Sequence, residues 1–280
     1  MQFRYVPLPT MLYQPFQPSA GSYGRFPIHS PYALPSASGY WYRTHQPELQ
    51  GGSERMDERP PQVERIDWAE QFPNEIILHG PPTKEVALTF DDGPDEVWTP
   101  QVLDGLREFG VKATFFCVGQ RIQANPDVFL RMIREGHNVG NHSWNHPNLA
   151  KIPLAAAMEQ INKTDEEMYR VAGIRSLLFR PPYGALTEEL IRELIRLKKK
   201  TILWNVDSLD WNQITANQVA ANILSHAGPG SIVLQHSAGG VGQSLQNTVN
   251  ALPYVIQTLW KRGYALRTIS DLLNLPAYST

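Results

Sequence analysis

From Val86 onward the chain alternates between two hydrophobic periods, and that alternation limits its fold more than any other feature. Apolar runs at 86–90, 113–118, 137–140, 177–179, 201–206, 231–235 and 264–267 have the length and bounding turn residues of buried strands. Between them, residues 97–109, 126–135, 154–172, 187–197, 215–226 and 245–262 carry apolar side chains at helical spacing. In the longest of these, Leu154, Met158, Ile161, Met168 and Val171 lie close to one face. A last short helix is expected at Ser270–Leu273, with Ser270 or Thr268 as its cap. Strands alternating with helices specify a parallel α/β sheet. Periodicity does not tell an open sheet from a closed one. Polar clusters that follow strand after strand on one end favour a distorted, seven-stranded β/α barrel of TIM-like type. The C-terminal face of such a barrel assembles the site.

The first 60 residues differ in kind. They are crowded with Pro, Tyr, Ser, Gln and Gly and keep no sustained period, so they cannot bury enough apolar area to offset their ordering entropy. We read 1–60 as an extended, mostly disordered arm, adhesive or passive. Residues 61–83 read as a linker or lid segment with Ile76, Ile77 and Leu78 as a short lid strand, 84–273 as the folded domain, and 274–280 as a tail. The formal charge of −2 gives no electrostatic reason for a nucleic acid or anionic membrane partner. No run of 18 apolar residues predicts a transmembrane helix, and the N-terminus lacks the pattern of a secretory signal. The single cysteine, Cys117, lies in an apolar run and reads as a buried, inert thiol.

The chemistry sits at the strand ends. The run Val86–Phe90 stops at Asp91 and Asp92 before Gly93-Pro94, and adjacent acids leaving a buried strand repel unless they share a cation. After the third strand come His142 and His146, four residues apart, which on a helical turn would aim both imidazoles at one metal. Joined by an acid from the first strand end, they make a His-His-Asp set with open positions, the pattern of a catalytic metal site. The fourth strand ends in Arg180-Pro181-Pro182-Tyr183-Gly184. Its stiff backbone suits a main-chain N–H aimed at an oxyanion, and Arg180 needs a carboxylate, Asp91 being a candidate. The fifth runs into Asp207-Ser208-Leu209-Asp210-Trp211 and the sixth into Leu234-Gln235-His236. A histidine leaving a buried strand beside acids is held as a general acid would be.

Taken in order, TFDDGP, HSWNH, RPPYG, DSLDW and LQH resemble the five motifs of the polysaccharide deacetylase family, the NodB homology domain of carbohydrate esterase type, over about residues 84–273. The resemblance implies a distorted β/α barrel that removes acetyl groups from sugar polymers with a divalent metal, most commonly zinc, with cobalt possible. It implies Asp91 as general base, Asp92, His142 and His146 as metal ligands, and Arg180 as the residue orienting Asp91. The Tyr183 backbone N–H would complete the oxyanion site, Asp210 would tune His236 as general acid, and Trp211 and Leu234 would line the acetyl pocket. The expected substrate is an N-acetylglucosamine polymer of peptidoglycan or chitin type. The family's last motif is often followed by an acid where this chain has Ser237. Two other readings remain at this point: a surface or spore-coat binding protein built on the barrel, and an esterase for acetyl-xylan or a small molecule. An open groove lined by Trp144, Tyr183 and Trp211 would favour a sugar chain. Envelope or spore-surface association through residues 1–60 is the expected location, with the cytoplasm as the alternative.

Overall fold

The computed structural model describes residues 47–50 and 52–279. The disordered arm expected over residues 1–60 therefore lies outside the described residues up to position 46. In chain order the strands are β1 (Ile76–Ile77), β2 (Glu85–Asp91), β3 (Thr114–Cys117), β4 (Asn138–Asn141), β5 (Arg175–Ser176) and β6 (Leu178–Phe179). They continue with β7 (Lys200–Ile202), β8 (Val206–Asp207), β9 (Ser231–His236), β10 (Ala265–Arg267) and β11 (Tyr278–Ser279). All but β5 and β11 form one parallel sheet in the order β1-β7-β6-β4-β3-β2-β9-β8, with β10 beside the start of β2. β5 and β11 pair antiparallel on their own.

The strand order also explains the curl. β7 stands second from one end of the order and β8 at the other end, yet only Leu203, Trp204 and Asn205 separate them. Three residues reach about 10 Å at full extension, so the two ends of the sheet must lie side by side. The run expected as one strand over 201–206 is thus two short strands sharing a bend. Its Leu203 N–H donates to Ile77 at 2.8 Å and its Asn205 N–H to Ile232 at 3.3 Å. Ile76–Ile77, expected as a lid, is instead paired in register with Thr201 and Ile202. An apolar pair that short finds its hydrogen bonds only by joining the sheet.

Strand alternation sorts the side chains into two layers. Val86, Leu88 and Phe90 of β2 pack with Phe115, Cys117, Val233 and the covering helices. Ala87, Phe116, Ile232 and Leu234 belong to a second cluster, on the opposite face of the same strands. The helices fall close to the expected spans, including Trp98–Glu108, Leu154–Ala172 and Gln246–Lys261. Helices Gln62–Gln71 and Gly119–Ala124 were not read from periodicity, being short and weakly patterned. Thr268, not Ser270, caps Ile269–Leu273 by accepting from Asp271 N–H. Cys117 is fully buried, and burial raises its thiol well above the usual range.

Gly140 shows how closely the inner layer is fitted. A Cβ there would stand 2.5 Å from the Phe116 ring. Gly140→Ala is expected to cost about 1–3 kcal/mol by overpacking. Urea unfolding measures this, and a midpoint equal to wild type would show that Phe116 has room to move.

Candidate metal centre and active site

β2 delivers both acids to one place although they are neighbours in sequence. Asp91 follows Ala87 and Thr89 on the inward face of the strand. An extended Asp92 would point the opposite way, but its backbone turns left-handed, φ 70°, and brings its carboxylate back into the site. Arg121, fully buried on the helix after β3, holds the Asp92 carbonyl through Nη1 at 2.9 Å. Asp95 accepts from the N–H groups of Val97, Trp98 and Thr99, which anchors the turn to the next helix.

The histidine pair does not lie on a helical turn. Ser143 and His146 have φ of 65° and 62°, and Pro147 disfavours the right-handed helical region at His146. The loop is shaped instead by side chains: Asn141 Oδ1 accepts from Ser143 N–H, Ser143 Oγ from His146 N–H, and Gln160 from Trp144 and Asn145 N–H. The rings still converge, with centroids 5.0 Å apart. His142 Nε2 is 3.6 Å and His146 Nε2 3.4 Å from Asp92 Oδ1. All three atoms are buried and none has a hydrogen-bond partner. Three inward-facing ligand atoms within 4.8 Å of one another, desolvated and unsatisfied, fit a bound divalent cation. His142 is held near pKa 3 by burial and by His146, so it is a neutral imidazole able to ligate. Burial works to raise Asp92, yet His146, His236, His142 and Arg121 hold it below the usual carboxylate range.

Beside this triad stand two further buried titratable groups. Asp91 and His236 are register partners at the ends of β2 and β9. Arg180 donates through Nη1 to Asp91 Oδ1 at 2.8 Å and to Thr89 Oγ1 at 2.7 Å. Its Nε and Nη2 donate to the carbonyls of Ile202 and Leu203, and Phe116 lies 4.2 Å under the guanidinium. Burial still dominates Asp91, pushing it up to about 7 against Arg180 and His236. His236 shows the opposite balance. Burial lowers it, but Asp210 Oδ1 at 2.7 Å from Nδ1 outweighs burial and raises it to about 10. Asp210 is lowered in turn, despite burial, by His236 and by the hydroxyl of Thr248 at 2.7 Å. Ser237 does not hold His236; its N–H donates to the Asp91 carbonyl at 3.0 Å.

Tyr183 also stands in the left-handed region, φ 61°, between two prolines and Gly184, and its ring meets His146 edge-on at 4.7 Å. Leu234 lies two residues before His236 on the same face, and Trp211 is buried behind Arg59. Trp144 packs on Gly119 with Lys163 Nζ 4.1 Å over its ring, so it is committed to the helical layer rather than to a groove. Arg121, Thr248 and Trp204 escaped the sequence reading. They act through a backbone carbonyl, a buried carboxylate and a ring face, none of which leaves a local pattern.

The polysaccharide deacetylase family profile matches residues 79–202. A peptidoglycan-N-acetylglucosamine deacetylase of Bacillus cereus is 39% identical over 210 residues, covering 75% of each chain. The peptidoglycan-N-acetylmuramic acid deacetylase PdaC of Bacillus subtilis is 38% identical over 192 residues, of which this chain spans only 39% of the longer protein. The crystal structure of the Bc1960 peptidoglycan N-acetylglucosamine deacetylase superposes with a TM-score of 0.73 at 37% identity, over 77% of this chain and 99% of that one. The chain belongs to the polysaccharide deacetylase family.

The two aspartates are expected to separate in a metal-retention assay. Asp92→Asn and His142→Ala should lose zinc affinity by more than the about 100-fold of an outer-shell change, and Asp91→Asn by no more than about tenfold. Equal loss in Asp91→Asn and Asp92→Asn, read by competition with a chromogenic chelator, would remove the division between them.

Proposed function

We propose that this polysaccharide deacetylase hydrolyses the N-acetyl group of N-acetylglucosamine units in peptidoglycan, with a divalent cation, zinc foremost, held by Asp92, His142 and His146. The observation that carries the reading is the pairing of Asp91 and His236 across adjacent strand ends, beside the unsatisfied triad. The peptidoglycan-N-acetylglucosamine deacetylase of Bacillus cereus that this chain matches over 75% of its length supports peptidoglycan as the polymer, while a chitooligosaccharide deacetylase of Bradyrhizobium, 34% identical and matched over 91% of its length, makes a chitin-type chain the second reading. No helix among the described residues is long and apolar enough to cross a membrane.

A divalent cation held by Asp92, His142 and His146 would supply Lewis acidity toward the acetyl carbonyl and a water. Asp91, steadied by Arg180 at 2.8 Å, takes the proton from the attacking water. In this reading the Tyr183 backbone N–H is assigned to the developing oxyanion by its place in the RPPYG motif, a donor worth about 3–4 kcal/mol when well placed. His236, kept protonated by Asp210 at 2.7 Å, gives its proton to the departing amine. Acetate and a free amino sugar leave. Leu234 and Trp211 supply apolar surface for the acetyl methyl. On this reading the protein works at the cell envelope, with the chain before residue 47 as a tether. A fluorescent fusion truncated to residue 47 that keeps its envelope pattern would refute the tether.

Zinc-loaded protein is expected to release acetate from peptidoglycan. Release from none of peptidoglycan, chitooligosaccharides and acetylated xylan would overturn the proposal, and release from xylan alone would make the protein an esterase. The pH profile follows from the two groups. Activity rises as Asp91 ionises, at or below about 7, and falls as His236 deprotonates, at or below about 10, because a cation beside Asp92 draws both lower. Asp210→Asn removes the charge that raises His236, so the alkaline limb should move to lower pH while the acid limb stays. An unmoved alkaline limb would assign it to another group.

A further inference from the structure

Each metal-facing imidazole needs an acceptor behind it. With Nε2 turned to Asp92, the proton sits on Nδ1, and what accepts it sets the ring's tautomer and direction. For His142 that acceptor is the carbonyl of Arg180, at 2.7 Å, inside the barrel. For His146 it is the carbonyl of Gly52, at 3.1 Å, which also accepts from the Tyr183 hydroxyl at 3.3 Å. Gly52 lies far outside residues 79–202, the span of the family profile.

Gly52 begins a strap that crosses the mouth of the barrel to Arg59. On the β4 side, Gln50 N–H donates to Asn145 at 2.7 Å, and Asn148 Nδ2 donates to the Glu58 carbonyl at 3.0 Å and its carboxylate at 2.8 Å. On the β8 side, Arg59 pairs with Asp207 and, at 2.5 Å, with the strap's own Glu54. Its guanidinium stands 5.2 Å from the Trp204 ring and 5.1 Å from the Trp211 ring. Glu54 is buried, and the Arg59 side chain is 9% exposed. A buried ion pair of this kind fixes one geometry more than it adds stability, because desolvation offsets its attraction.

We propose that this strap is part of the metal centre: Gly52 orients the ligand His146 through its Nδ1, and Arg59 is the positioning residue that pins the strap. The proposal rests on the reading of Asp92, His142 and His146 as a cation site. It makes the grip on the metal depend on a segment that precedes the barrel.

Gly52 offers a clean test. Its φ is 79° and an added Cβ meets no described atom within 4 Å, so Gly52→Val acts on the carbonyl chiefly through backbone strain. Gly110, φ 65° with equally open space, supplies the control Gly110→Val. In the full chain, Gly52→Val and Arg59→Ala are expected to weaken zinc binding by about 10–100-fold in chelator competition, and Gly110→Val to leave it unchanged. The visible spectrum of the cobalt-loaded protein should change in the two strap variants only, with far-ultraviolet circular dichroism preserved. Wild type that binds zinc beside a Gly52→Val protein that binds it equally tightly, with an unaltered cobalt spectrum, would retire the strap's role alone. Wild type that binds neither metal would retire the cation site, and the strap's role with it. Because Gly52 has open space for a Cβ and Gly110→Val controls for the same backbone strain, the test stands even where Arg59→Ala fails to fold.

Discussion

The arrangement turns on one fully buried cation. Arg180 leaves the end of β6 and enters the barrel, where no water can solvate it. Removing a guanidinium from water costs several kcal/mol even after relaxation, so its location must satisfy it almost completely. Asp91 and Thr89 from β2, the carbonyls of Ile202 at the end of β7 and Leu203 in the bend after it, and the face of Phe116 do so together. Its own carbonyl then orients His142. One side chain and its peptide group thereby join Asp91, His142 and the bend that closes the sheet.

Around that cation, two neighbouring carboxylates acquire opposite properties. Asp91 is raised because burial outweighs Arg180 and His236. Asp92 is lowered because three imidazoles and Arg121 surround it. The separation comes from one left-handed residue at the strand end, which aims a second acid inward where pleating alone would aim it out. Ser143, His146, Tyr183 and Leu209 also have positive φ, and all lie in the strand-end loops. Such conformations cost of order 1–3 kcal/mol each and persist where the surroundings over-determine them. Here those surroundings are side-chain bonds such as Asn141 to Ser143 and Ser143 to His146.

Much of the fold was legible because parallel strands buried on both faces are plain apolar runs, and helices keep their own period. Legibility failed where local pattern and tertiary pairing part. The run 201–206 looks like one strand, but the curl divides it between two ends of the sheet. Ile76–Ile77 is too short to identify as a sheet strand, and its role comes from pairing with β7. The His142–His146 spacing suggested a helical turn, yet a left-handed loop brings the rings together by another path.

The sequence by itself determined the family, the alternating α/β plan and the strand-end residues that converge, because these rest on residue type and order. Only the tertiary structure decided which contacts hold those residues in place. The backbone reversal at Asp92, the carbonyls of Arg180 and Gly52 behind the two imidazoles, Thr248 behind Asp210 and Arg121 behind Asp92 are contacts between distant segments. A backbone carbonyl is the same in every residue, so no sequence pattern records where it points. That direction exists only once the chain has closed on itself.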